Sequence, residues 1–308
     1  MAILVFGSLN MDLVVRTPRL PQSGETLTGQ SFTTVAGGKG ANQAVAVARQ
    51  GATTTLVGRV GDDDFGRQLC QALAHDGVQI KDTVLIDGET HTGVAAIAVG
   101  AQGENQILIV PGANGRVNRA DVDRLKPHFK TADLLLLQCE IGPASVVAAA
   151  QTAHAAGLTV MLDPAPVPAG DLTSVYPSVD ILTPNQVEAE QLVGFPVNTI
   201  DQANAAIAAL QSQGATTVII KLGEQGVVCG TLTETFYQPA FTVTVVDTVA
   251  AGDAFNGGLA IALQAQKPLR EAVQWATATA ALSVTKAGAQ PSLPTHSEVT
   301  DFLAVYDR

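Results

Sequence analysis

The sequence predicts an α/β fold: a doubly wound, mostly parallel central sheet flanked by helices, with a small β-sheet lid. Three observations carry that reading. Apolar bursts of strand length alternate with segments of helical periodicity along most of the 308 residues. Hydrophobic residues make up 46% of the chain, enough to fill a sizeable core. The alternation breaks in only two regions, about 11–35 and 91–112, and the lid strands are expected there.

In chain order, Ile3 to Phe6 is a first strand, followed by a helix from Gly40 to Gln50, a strand from Thr54 to Val57 and a helix from Phe65 to Ala74. The rhythm resumes with a buried strand at Leu134 to Leu137 and a helix at Ala144 to Ala156. Strands at Thr159 to Leu162 and Ile181 to Thr183 come next, then a helix at Ala203 to Gln213 and a strand at Thr217 to Ile220. Phe241 to Val246 alternates apolar and polar residues and predicts a strand, with helices at Ala254 to Ala265 and Leu269 to Thr285 closing the pattern. Between these, Met11 to Phe32 is extended and polar, and Gly93 to Val110 reads as two strands around the turn Gly100-Ala101-Gln102-Gly103. Neither suits a doubly wound core; both are placed beside it, over the carboxyl ends of its strands where such folds bind ligands. With no repeat, low-complexity tract or long linker, a single domain over 1–308 is expected, carrying this lid.

A formal net charge of −11 and the lack of basic runs argue against nucleic acid or anionic lipid as partner and favour a small molecule. Cys70, Cys139 and Cys229 have neither zinc nor disulfide-framework spacing, and the five histidines are scattered. The apolar start, Met-Ala-Ile-Leu-Val-Phe, is too short for a signal peptide, and no run reaches the length of a membrane span, so the cytoplasm is the expected compartment.

The segment from Asp247 to Gly258, D-T-V-A-A-G-D-A-F-N-G-G, passes through small residues into an apolar helix. A helix start has amides without partners and a dipole that favours negative charge, so the amides of Ala250, Ala251, Gly252 and Asp253 could seat a transferring phosphoryl group. Asp253 beside bound anions suits acceptance of a proton from an attacking hydroxyl, which points to phosphoryl transfer to an alcohol; the alternative is a simple helix cap. Gly37-Gly38-Lys39-Gly40-Ala41-Asn42-Gln43 opens another helix with a glycine-rich turn. It fails as a P-loop, because Gly40 follows Lys39, and as a dinucleotide fingerprint, because Gln43 holds the third glycine position, which disfavours a nicotinamide dehydrogenase. Lys39 and Asn42 add a cation and an amide there; an ordinary turn is the alternative. Asn10 and Asp12 share one side of an extended segment and suit vicinal hydroxyls, or else form an Asx turn. Glu140 follows the buried strand at 134–137, at a cleft or in a solvated loop. Thr183-Pro184-Asn185-Gln186 reads as a capping box with Thr183 as N-cap, Pro184 at the first helical position and Gln186 at the third. Lys221 to Gly226 reads as a glycine turn into a second strand.

Taken together, G-G-K-G-A-N-Q-A and A-A-G-D with its small flanking residues resemble the two signatures of the ribokinase family of carbohydrate kinases. The likeness runs from Gly7-Ser8-Leu9-Asn10 to Gly288-Ala289-Gln290-Pro291-Ser292. The resemblance implies a ribokinase-like fold and ATP-dependent phosphorylation of the 5-hydroxyl of D-ribose, with Asp253 as catalytic base and the amides at 250–253 as anion hole. It implies sugar contacts from Asn10, Asp12, Gly38, Lys39, Gly40, Asn42 and Glu140. It further implies nucleotide contacts from Asn185, Glu188, Lys221, Gly223, Gly226, Gly252 and Thr277, the pair Asn185 and Glu188 also ordering hydrated magnesium. Lys221 stands where the family commonly has threonine. A potassium ion is implied at Asp247, Val249, Ser283, Lys286, Gly288 and Ser292, mostly through carbonyls, with a packed loop as the alternative. A homodimer through the lid is implied as well. Sibling kinases acting on deoxyribose, fructose or adenosine are the nearest alternative, and a sugar-binding regulator without catalysis is a further one.

Overall fold

The computed structural model describes residues 2–306. The chain begins at the centre of the main sheet with β1 (Ala2–Phe6), then leaves it for β2 (Asn10–Arg16) and β3 (Ser31–Gly37). It returns through α1 (Lys39–Arg49), β4 (Thr53–Gly61), α2 (Asp64–His75) and β5 (Val84–Asp87), and departs again for β6 (Gly93–Val99) and β7 (Asn105–Val110). The second half runs through α3 (Arg119–Leu125), β8 (Ala132–Gln138), α4 (Pro143–Ala155), β9 (Thr159–Asp163), β10 (Ile181–Leu182), α5 (Gln186–Val193), α6 (Ile200–Ser212) and β11 (Thr217–Lys221). It ends with β12 (Val227–Gly230), β13 (Thr235–Gln238), α7 (Ala251–Gln264), α8 (Leu269–Ser283) and α9 (His296–Tyr306).

Nine strands form the main sheet in the order β13-β12-β11-β10-β9-β8-β1-β4-β5, parallel from β11 to β5 and antiparallel at β12 and β13. The apolar runs at β1 and β8 are explained by burial on both faces. Ile3, Val5, Leu134 and Leu136 point into the core under α1, α7 and α8, while Leu4, Phe6, Leu135 and Leu137 point into the core under α4 and α6. After β1 the chain goes to β4 on one side, and it later takes up β8 on the other. The crevice above the ends of β1 and β8 is therefore the switch point of the sheet, the place where such folds hold ligands.

The two regions that interrupt the sequence pattern form the second sheet, β3-β2-β6-β7, with β2 parallel to β6 and the other pairs antiparallel. The parallel pair needs a crossover, and α1, β4, α2 and β5 of the main layer supply it. The sheet is thereby woven into the main unit. Its strands at 10–16, 31–37, 93–99 and 105–110 lie within the expected spans or overrun them by at most two residues.

Two local readings are corrected. Phe241 to Val246 is not a strand: the main sheet ends at β13, so these residues have no ladder partner, and Val246 N and Asp247 N instead donate to the Val284 carbonyl at 2.8 and 3.2 Å. The capping box is shifted by two residues. Asn185, not Thr183, is the N-cap of α5; its side chain accepts from Glu188 N at 2.9 Å while Glu188 accepts from Asn185 N at 2.7 Å. Pro184 consequently precedes the cap. Its carbonyl accepts Lys221 N at 3.0 Å, which ties the start of α5 to the end of β11. Among the described residues no helix is long and apolar enough to cross a membrane.

Candidate active site

Strand ends supply most of the site. Ser8 follows β1, Gln138 ends β8 with Glu140 just beyond, Asp163 ends β9 and Lys221 ends β11. Two helix starts, α1 and α7, meet them from one face.

The turn into α1 is pressed against the end of β1. Gly38 adopts φ 89°, and a Cβ there would stand 2.6 Å from Asn10 N, so only glycine lets the turn lie so close. That proximity puts Glu140 at a junction: its Oε2 accepts from Ser8 Oγ at 2.5 Å, Lys39 N at 3.1 Å and Asn10 Nδ2 at 3.3 Å. Gly40 N donates to Ser8 Oγ at 3.3 Å. Asn114, in the 3-10 turn Gly112–Arg116, completes the corner by exchanging two hydrogen bonds of 3.0 Å with the backbone of Leu9 and donating to Asn10 Oδ1 at 2.8 Å. Asp12 lies on the same strand as Asn10, close enough to Gly37 that a Cβ on that glycine would meet its Oδ2 at 2.3 Å. Burial pushes the Asp12 carboxyl up to about 7, and the nearby charges of Glu140 and Asp253 push the same way against Lys39.

At the second helix start, Ala250 takes the left-handed conformation at φ 61° and no side chain caps α7. Ala251 N reaches the Thr248 carbonyl at 3.3 Å and Ala254 N the Ala250 carbonyl at 2.8 Å. Between them, the amides of Gly252 and Asp253 have no acceptor among the described residues. Asp253 is 4% exposed; its Oδ2 accepts from Asn42 Nδ2 at 2.9 Å and its Oδ1 from Gln43 Nε2 at 3.1 Å. The two helix starts thus share one carboxylate. Burial raises the Asp253 carboxyl to about 6; Lys39 opposes the rise, Asp163 adds to it, and the two amide donors hold it back. Burial alone would lower the Lys39 ammonium, but Asp253, Asp163, Glu140 and Glu188 together hold it above the ordinary lysine value. Asn10, Asp12, Gly38, Lys39, Gly40, Asn42, Glu140 and Asp253 are therefore gathered in one crevice.

The residues singled out for nucleotide are less tightly gathered. Asn185 and Glu188 are engaged with each other, including Asn185 Nδ2 to Glu188 Oε1 at 2.8 Å, and burial and Asp163 raise the Glu188 carboxyl. Gly223 faces open space, whereas Gly226 is needed by the backbone itself: at φ 90°, a Cβ there would stand 2.2 Å from the Gln238 carbonyl. Thr277 lies on α8 with its hydroxyl given to the Val273 carbonyl at 2.8 Å. Lys221 Nζ donates to Asp163 Oδ1 at 3.0 Å.

The loop at 247–249 docks on the segment after α8. Asp247 Oδ2 accepts from Gly288 N at 2.9 Å and Oδ1 from Val249 N at 3.1 Å. The side chains of Ser283, Ser292 and Lys286 turn elsewhere, to the Ala280 carbonyl, the Ala289 carbonyl and Glu298 respectively. The contact is therefore made by the Asp247 carboxylate on main-chain amides.

Five contributors escaped the sequence reading as site residues: Ser8, Gln43, Gln138, Asp163 and Asn114. Gln43 was visible inside the glycine-turn motif. The others lie at the end of a strand or in a short turn, with no local signal to separate them from ordinary polar loop residues.

Residues 2–296 match the profile described as the pfkB family carbohydrate kinase. The chain is similar to the ribokinase of Haemophilus influenzae, with 39% identity covering 98% of each chain, and to a deoxyribokinase of Salmonella typhi, with 36% identity covering 99% of each. Among solved structures it superposes on Arabidopsis thaliana ribokinase complexed with ribose and ATP. That match has a TM-score of 0.90 and 34% identity, covering 98% of this chain and 99% of the other.

Proposed function

The chain belongs to the pfkB family of carbohydrate kinases, and we propose that within it this protein transfers the terminal phosphoryl group of ATP to the 5-hydroxyl of D-ribose, giving ribose 5-phosphate and ADP. The observation that carries the reading is Asp253: one buried carboxylate beside amides of α7 without protein acceptors, with the polar crevice of Asn10, Asp12, Asn42 and Glu140 next to it. The likeness to proteins named ribokinase favours ribose over other sugars.

In this reading the sugar lies in the crevice with its hydroxyls against Asn10, Asp12, Gly38, Lys39, Gly40, Asn42 and Glu140. The 5-hydroxyl oxygen attacks the terminal phosphorus, the bond to the bridging oxygen breaks, ADP departs, and the hydroxyl proton passes to Asp253. Within the anion hole at 250–253, the amides of Gly252 and Asp253, which have no acceptor among the described residues, meet the negative charge on the transferring group without reorganising. ATP runs along Asn185, Lys221, Gly223, Gly226 and Thr277. The lid sheet over the crevice keeps water from replacing the sugar as acceptor.

Among the described residues no group of three His, Cys, Asp or Glu side chains converges as a metal cage. Glu188 and Asn185 would hold magnesium through its water shell beside the nucleotide, and the ion would supply neutralisation of phosphate charge. Potassium would be held where the 247–249 loop docks on the segment after α8, by Asp247, Val249, Ser283, Lys286, Gly288 and Ser292, mostly through carbonyls. The reading also comprises a single kinase domain with its lid, a homodimer joined through the lid sheet, and a cytoplasmic setting.

Release of ADP and of phosphorylated product across a panel of sugars and nucleosides, with and without potassium, tests the proposal, with phosphorus NMR locating the new ester. Preference for D-ribose at its 5-position is expected. A preference for deoxyribose, the sugar in the name of one relative, would move the assignment to that sibling, and transfer to no sugar would overturn it.

A further inference from the structure

Lys221 ends β11 and Asp163 ends β9, on either side of β10, and both side chains are largely buried, 12% and 4% exposed. Their ion pair of 3.0 Å has a definite place: a Cβ built on Gly252 would stand 3.5 Å from Lys221 Nζ. The ammonium thus lies at the first turn of α7, beside the amides that have no protein acceptor. Only one of its three N–H groups has a protein acceptor among the described residues, and that acceptor is Asp163. The carboxylate is fixed from its other side as well. Gln43 Nε2 donates to Asp163 Oδ2 at 3.1 Å and to Asp253 Oδ1 at 3.1 Å, and Gln138 Nε2 donates to Gln43 Oε1 at 2.7 Å. Because the Gln43 oxygen is occupied by a donor, its NH₂ must face the two carboxylates, and the Asp163 oxygens are left in one orientation.

A structural ion pair between strand ends is a poor alternative explanation. Burying two charges costs about as much as their attraction returns, so such a pair adds little to stability by itself. A lysine with two donors left over at a helix start is suited instead to an anion.

We propose that Lys221 contacts the transferring phosphoryl group as a cation, and that Asp163 is the positioning residue that holds it there. The inference rests on the reading of the α7 start as the phosphoryl seat.

The test uses Lys221→Met, Lys221→Arg, Asp163→Asn and the double variant Asp163→Asn/Lys221→Met, with Lys221→Gln in reserve should the methionine variant not fold by circular dichroism. Lys221→Met is expected to lower kcat by about 10²-fold, the scale of losing one donor to a developing charge. It should also weaken binding of magnesium–AMPPCP, read by calorimetry, more than binding of ADP, while the sugar dissociation constant stays unchanged. Lys221→Arg should recover part of the loss. Asp163→Asn should lower kcat as well, and the double variant should fall short of the product of the two single losses, because Asp163 acts through Lys221. Unchanged kcat and analogue affinity in Lys221→Met, or losses that multiply in the double variant, would overturn the inference. Failure of the wild-type protein to phosphorylate ribose is read separately in the sugar panel, and the analogue titration compares wild type and variant whichever sugar is used.

Discussion

As the proposed base, Asp253 has to be both buried beside the crevice and charged to accept a proton, and its two amide donors, Asn42 and Gln43, reconcile those demands. With the carboxyl raised to about 6, kcat/KM should fall as pH drops through about 6, because the protonated form has no room for the hydroxyl proton. Asp253→Asn should remove that acid limb and lower kcat by roughly 10²-fold or more with the circular dichroism spectrum intact; a near-normal rate would show that some other group takes the proton. Asp12 gives a prediction of the opposite kind. Its folded value of about 7 lies above the 3.8 of a free aspartate, so protonation favours the folded state. That contribution is present at low pH and lost as pH rises through about 7. Asp12→Asn should therefore raise the melting temperature at pH 8 by about 2–4 °C while impairing sugar binding, and calorimetry showing a lower melting temperature would refute it. At this scale the sequence revealed residues at glycine-flanked helix starts, Lys39, Asn42 and Asp253, because the local chain announces them. It concealed Asp163 and Asn114, whose partners Gln43 and Leu9 lie 120 and 105 positions away.

In the proposed mechanism the helix α7 carries the base and the seat for phosphate together, and two glycines set where it lies. A Cβ on Gly257 would stand 2.5 Å from the Ala46 methyl on α1, and one on Gly258 would stand 2.5 Å from Thr279 Oγ1 on α8. Gly258→Val should overpack the α7–α8 contact by about 1–3 kcal/mol and shift the helix, so that melting temperature and kcat fall together. A thermal melt with unchanged kcat would show that α7 yields without moving Asp253. The elements themselves were largely readable, because β1 and β8 are apolar runs and α1 and α7 follow glycine turns. The misread segments have physical causes. The 241–246 run alternates as a strand does but meets no free sheet edge. Helix α3 is seven residues long and half polar, so its capping box at Asn118 and Asp121 marks it better than its periodicity. The start of α5 was misplaced because Thr183 and Asn185 are both good caps; the reciprocal bonds of Asn185 with Glu188 fix the cap at Asn185, and the bond from Lys221 N to the Pro184 carbonyl anchors the residue before it.

In the whole molecule, the lid presents an apolar outer strand to solvent: Leu108 is 72% exposed and Ile107 52%, with Phe32 on β3 at 61%. A strand of that kind with an open edge calls for a cover, and a second lid is the cover proposed here. Leu108→Glu should convert the dimer to a monomer by sedimentation equilibrium at micromolar concentration; a wild-type protein already monomeric there would remove the proposed interface. The lid is also joined to the core in a way that bears on chemistry. Only Gly7, Ser8 and Leu9 separate β1 from β2, and Asn114 grips that elbow from both sides. Asn10 and Asp12 ride on one arm and Asp253 on the other. The distance from the sugar side of the crevice to Asp253 accordingly depends on how the outer sheet seats on the core, both at this short elbow and where the chain crosses from β3 into α1 and from β5 into β6.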